Sequence, residues 1–321
     1  MEYRKLIAFG KSSYVVSLPK PWINQNKLKK GDVIYFDEID NNLILQSKQH
    51  NGQDGEDSKV IVQVDGKSIK RIQRDIISAY VNNYKTIILQ GKEIKDKATE
   101  IQNFVQRLVA LEIVEQDSKK IIARDFLNLK DISIEQIIRK MDIIARSMLS
   151  DCKNTFSDDT YASIALRDND INKFRFLVYR MVWYGLNNPS TFLKNFNVNS
   201  VDLFNYWNLS LDIEQIGDCV KRVSRHMNET KLSTKSKKIY VELLSDIEKN
   251  YLEIIKAYFK KDVEMAHNLV EKRGELIKRC DEFFMSNKEA PMIGYLVYNT
   301  KGLIVNTSAI ARTIYQGMFS H

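Results

Sequence analysis

From Ile132 to the C-terminal end, apolar positions recur with a period near 3.6 almost without a break. Breaks in that pattern predict six helices, near 133–155, 158–186, 200–228, 233–259, 261–286 and 290–318, with a loop at 187–199. Residues 59–126 read differently, as short β-rich runs between helical stripes. Lys59–Val64, Thr86–Leu89, Glu112–Glu115 and Lys120–Ala123 read as strands. Ile69, Ile72, Ile76, Ile77 and Tyr80 share one helical face, and Ile101, Phe104, Val105, Leu108 and Val109 share another. The order β-α-β-α-β-β predicts a small α/β sandwich with its helices on one face. The first 47 residues predict a small β module. A strand, a turn at Gly10–Ser13 and a second strand come first, then a helical turn after Pro21-Trp22, then strands at Val33–Phe36 and Leu43–Leu45 around Asn41-Asn42. Residues 46–58 contain no apolar side chain and several turn formers, the pattern of a flexible linker. The expected domains are 1–47, 59–130, 131–228 and 229–321, in a multidomain, mainly α chain.

The helical half contains an internal repeat. An ungapped offset of 103 pairs Ile144 with Ile247, Leu149 with Leu252, Phe156 with Phe259, Asp159 with Asp262, Leu166 with Leu269, Asp168 with Glu271 and Asn172 with Glu275. An offset of 91 pairs Ile213 with Ile304, Val223 with Ile314 and Met227 with Met318. Two tandem three-helix units are the economical reading.

Charge changes the picture at the N-terminus. Seven Lys or Arg residues face one acid, Glu2, through residue 30, so this short stretch carries +6 of the chain's +8. Cations on a Gly-Ser turn suit a phosphate backbone. Gly10-Lys11-Ser12 is not the end of a P-loop, because Lys5 stands where that motif needs glycine and a strand follows rather than a helix. The three cysteines, far apart and odd in number, predict thiols in a reducing cytosol. No run of 18 apolar residues occurs. No Ser-His-acid or Cys-His pairing is visible, and His50, His226, His267 and His321 lack ligand spacing, so the chain is not expected to be an enzyme. Phe174, Phe176, Tyr179, Trp183 and Tyr184 read as core and interface.

The N-terminal segment resembles the AbrB/MazE-like swapped-hairpin DNA-binding domain. The residues that carry the resemblance are Gly10-Lys11-Ser12-Ser13, the Val15–Leu18 strand ending in Leu-Pro-Lys, Trp22, and Leu28-x-x-Gly31-Asp32. A module this short buries too little apolar surface to stand alone. The resemblance implies interleaved hairpins from two chains, hence a homodimer. It also implies that Arg4, Lys5, Lys11, Ser12 and Ser13 face DNA, with Pro19, Trp22 and Gly31 as scaffold. The competing reading is a solvated basic surface on a domain that only dimerises.

Leu211–Val220, with Glu214, Gly217 and Asp218, is similar to a signature of the PhoU family, and Leu166–Asn172 to that family's other motif. The resemblance implies two PhoU-like three-helix bundles with metal ions held by acid-x-x-x-acid pairs. Residues four apart share a helix face, so Glu214 and Asp218 can offer oxygens to one divalent or iron-type ion, with Asp168 and Asn172 completing the set. The chain departs from the pattern. Asn172 replaces an acid, Gln215 an arginine and Cys219 a frequent histidine. In the second repeat Glu271 and Glu275 remain, opposite Val305 and Ala309, which makes that site weaker. The alternative is that these acids are solvated or pair with Lys221 and Arg175. Gly217, inside a predicted helix, signals close packing with a neighbour.

Together the two resemblances imply a cytosolic, dimeric transcriptional regulator of phosphate uptake, with a helical half that senses phosphate status through metal ions or partners. The alternative is a PhoU-type accessory protein that docks on a phosphate transporter ATPase or sensor kinase and uses its N-terminal module only to dimerise. No organic cofactor and no membrane insertion are expected.

Overall fold

The computed structural model describes residues 3–39, 42–47 and 58–316. Most of the predicted linker, two of the four histidines (His50 and His321) and Met318 lie outside the described residues. The chain divides into two compact units, residues 1–52 and 53–321.

The first unit contains two antiparallel hairpins. β1 (Ile7–Phe9) pairs with β2 (Ser13–Val15) with Ile7 opposite Val15 and Phe9 opposite Ser13. Gly10 opens the connecting turn at φ +72°, a conformation cheap only for a residue without Cβ. A short helix α1 (Lys20–Gln25) begins with Pro21 in its first turn. β3 (Tyr35–Ile39) then pairs with β4 (Asn42–Gln46). None of the side chains described between residues 3 and 47 is buried.

In the second unit, β5 (Lys59–Gln63), β6 (Thr86–Gln90), β7 (Leu111–Gln116) and β8 (Lys120–Asp125) form a mixed sheet in the order β5-β6-β8-β7. β5 and β6 are parallel, as a helical crossover demands, and the other pairs are antiparallel. Alternate residues Val62, Val64, Ile87, Leu89, Ile121 and Ala123 are buried beneath α2 (Ile69–Val81) and α3 (Ile94–Val105), whereas Ile61 on the opposite face is exposed. Ser68 caps α2 by accepting from the Arg71 amide.

The helical region comprises α4 (Ile134–Cys152), α5 (Tyr161–Asn187), α6 (Pro189–Phe196), α7 (Ser200–Glu229), α8 (Thr234–Lys260), α9 (Val263–Ser286) and α10 (Ile293–Gln316). The six long helices match the predicted periods within a few residues. The predicted loop at 187–199 instead contains α6. Pro189 provides its start, and Phe192 is buried against Tyr184, so tertiary packing made a helix of a segment too short to show a period. α4, α5 and α7 form one three-helix bundle and α8, α9 and α10 a second, and the two meet mainly along α7 and α10. Ile213 and Ile304, paired in the repeat, are both buried. Leu166 and Leu269 are not equivalent, since the first is 69% exposed and the second 3%. That pairing was a coincidence of two apolar residues in amphipathic helices.

The long α5 also joins bundle to sandwich. Near its end Leu177, Val178, Arg180, Met181, Val182, Tyr184 and Gly185 are buried. Burial on more than one face means the helix is covered from two sides. Phe176 and Tyr179 pack against the sandwich core, whereas Phe174 packs against the bundle core. The predicted aromatic run is therefore the seam between the two layers. At the seam's centre Arg180 donates Nη1 to Asp125 Oδ1 at 3.0 Å, Nη2 to Asp125 Oδ2 at 2.5 Å and Nε to Asn83 Oδ1 at 2.7 Å.

Candidate nucleic-acid interface and carboxylate cluster

The predicted DNA-facing residues are all exposed. Lys11 and Ser12 occupy the β1–β2 turn and Ser13 begins β2. Arg4 and Lys5 precede β1 at the hairpin's other end, where Arg4 Nη1 lies 3.5 Å from Ser17 Oγ. The set therefore splits into a turn group and a base group, separated by about 20 Å of extended chain. Apolar side chains of the same unit are exposed as well. Phe9, Tyr14 and Leu6 are 69%, 68% and 67% exposed, and Val33, Phe36 and Leu43 are similarly open. So many open apolar residues are more than a small isolated unit ordinarily exposes.

The second predicted site lies between α5 and α7. The two helices bring Asp168, Asn172, Glu214 and Asp218 together, but the cation among them is a lysine. Lys221 Nζ donates to Asp168 Oδ2 at 2.5 Å and to Asp218 Oδ1 at 2.7 Å. Arg222 Nη2 holds the other Asp218 oxygen at 2.7 Å, Gln215 donates to Glu214 Oε2, and Asn172 turns its amide to the Asp168 carbonyl. Burial pushes the Asp168 carboxyl up, and Lys221 opposes without cancelling it. Burial also raises Glu214, helped by Asp218 and Asp168 and opposed by Arg175. Asp168 Oδ1 is buried without a hydrogen-bond partner.

Gly217 faces α5 at close range. A Cβ there would lie 2.9 Å from Ile171 Cδ1 and 3.8 Å from Asp168 Oδ1, in line with the packing role read from sequence. Glu271 and Glu275 are exposed on α9. Among the described residues, no three His, Cys, Asp or Glu side chains are arranged to hold a metal ion. The donor set around Asp168 thus fits the ammonium it already contacts, and a metal would need Lys221 to leave.

Sequence reasoning missed the seam residues Arg180 and Asp125. A lone Arg180 among apolar positions was the available signal, but nothing local pairs residues 55 apart. Asp212 was also passed over. Burial, opposed by Arg312, raises its carboxyl to about 7.

Residues 7–53 match the family model for antidote-toxin recognition MazE, bacterial antitoxin. Neither the curated proteins nor the solved structures give a match to the chain. The chain thus carries an N-terminal MazE/AbrB-type domain, a kind that suggests DNA binding, followed by a mainly helical region. No described helix is long and apolar enough to cross a membrane.

Proposed function

We propose that the protein is a dimeric, DNA-binding transcriptional regulator whose helical half is the sensing or partner-binding part. The observation that carries this is the first unit, where exposed cations at both ends of one hairpin, Lys11 at its turn and Arg4 and Lys5 at its base, accompany apolar side chains left open by a single chain. A second copy interleaving its hairpins covers those side chains and sets two cationic turns on one duplex, as two half-sites require. The paired three-helix bundles and the converging Asp168, Glu214 and Asp218 support a PhoU-like helical half, and with it phosphate homeostasis as the regulated process. In this reading the chain performs no catalysis, and its site of action is the cytosol.

The accessory-protein reading keeps the dimer and removes the DNA. Fluorescence anisotropy separates the two, using full-length protein at physiological salt, duplexes from upstream of its own gene and of phosphate transporter genes, and a scrambled duplex. Specific readers prefer their site by about 10³-fold or more. Lys11→Ala should lower the salt slope by about one unit. Equal, weak binding to all duplexes, with co-purification of a transporter ATPase or sensor kinase, would instead establish the accessory role.

A further inference from the structure

A cleft of about 620 Å³ opens where the end of β8 and the following loop meet α5. Its size lies within the range of small-molecule sites. Lys85, Arg124 and Lys130 line it alongside one acid, Asp125. That acid is already neutralised, by Arg180 behind it and by Lys85 at 2.9 Å. Arg124 and Lys130 make no ion pair among the described residues, so the lining carries an excess of positive charge. Phe126 supplies an apolar wall and is 61% exposed although it directly follows a buried residue. Tyr184, buried in α5, forms part of the floor.

We propose that this cleft binds a phosphorylated small molecule with a planar ring, of the mononucleotide class. Phosphate oxygens meet Lys85, Arg124 and Lys130 through charge-assisted hydrogen bonds, and the ring lies against Phe126. Inorganic phosphate is too small to use both parts of the cleft, and an uncharged nucleoside leaves the cations unused. Since the cleft is bounded by sandwich and bundle alike, its occupant contacts both layers of the second unit. The proposal is independent of the DNA reading, because its readout is ligand binding itself.

The test is isothermal titration calorimetry of the full-length protein with ADP, adenosine, orthophosphate and malate as probes. ADP should bind at least tenfold more tightly than each of the others. Arg124→Gln and Lys130→Gln should each weaken ADP about tenfold, the size of one lost hydrogen bond to a charged group. Phe126→Ala should weaken ADP and leave orthophosphate unchanged. Lys278→Gln on α9, whose lysine is exposed, should change nothing. Unchanged melting of the variants would show that they fold. Absence of ADP binding at millimolar concentration overturns the proposal, as does equal affinity of the variants. Adenosine as tight as ADP would overturn the role of the cations, and malate as tight as ADP the ligand class.

Discussion

Replacing Arg180 by methionine tests the seam most directly. The two partners are 1% and 0% exposed at their side chains, so water cannot take over when one is removed. The substitution removes two hydrogen bonds to Asp125 and one to Asn83, and the guanidinium face 4.6 Å above the Tyr80 ring. Breaking a buried pair costs about 3–5 kcal/mol. Lys85 still contacts Asp125 at 2.9 Å, which places the expected loss near the lower end, about 3 kcal/mol. The control is Lys278→Met, which breaks an exposed i,i+4 pair with Glu282 and should cost at most about 0.3–0.5 kcal/mol.

Urea unfolding followed by tryptophan fluorescence suits the assay, because Trp183 bonds Asn82 across the seam and Trp207 packs on Tyr179. Arg180→Met combined with Asp125→Leu should be more stable than Arg180→Met alone, since no charge is then left buried at the pair. Burial pushes the Asp125 carboxyl up, but Arg180 and Lys85 more than offset it and hold it below the usual range. The pair's contribution is therefore fully present above the unfolded carboxylate value of about 3.9 and is lost as pH falls through the lower folded value. A cost below about 1 kcal/mol for Arg180→Met at neutral pH, or a double variant no better than the single, would refute the reasoning.

Three further outcomes follow from the helical half. Asp212 binds its proton more tightly folded than unfolded, being raised to about 7, so stability should fall as pH rises from about 4 to 7; Asp212→Asn should flatten that fall in pH-dependent urea titrations, and an unchanged slope would assign it elsewhere. Lys221→Gln leaves Asp168 and Asp218 without their shared cation and should cost about 2 kcal/mol, partly recovered by millimolar Mn²⁺ in thermal melts, whereas a melt that ignores the substitution would show that the contact contributes little. A Cβ on Gly302 would lie 2.8 Å from Cys219 Sγ, where α7 and α10 cross. Gly302→Ala should therefore cost about 1–2 kcal/mol from overpacking less helix propensity, and should become stabilising beside Cys219→Ala. Equal effects of Gly302→Ala in both backgrounds would contradict the close approach.

What the chain determined alone was local. Six helices followed from a 3.6-residue period, the sandwich strands from short β-rich runs, and the shared face of Glu214 and Asp218 from their four-residue spacing. The cationic turn at Gly10–Ser13 was visible for the same reason, because its residues are neighbours in sequence. Tertiary structure decided everything that depends on elements meeting. It folded Pro189–Phe196 against Tyr184, placed Lys221 between acids on two helices, and joined Arg180 to Asp125 across the seam. It also separated Leu166 from Leu269, which the repeat had equated. Periodicity reports which face of an element is apolar, but not which face of another element covers it. The charge that answers a buried carboxylate is therefore settled only when the helices pack.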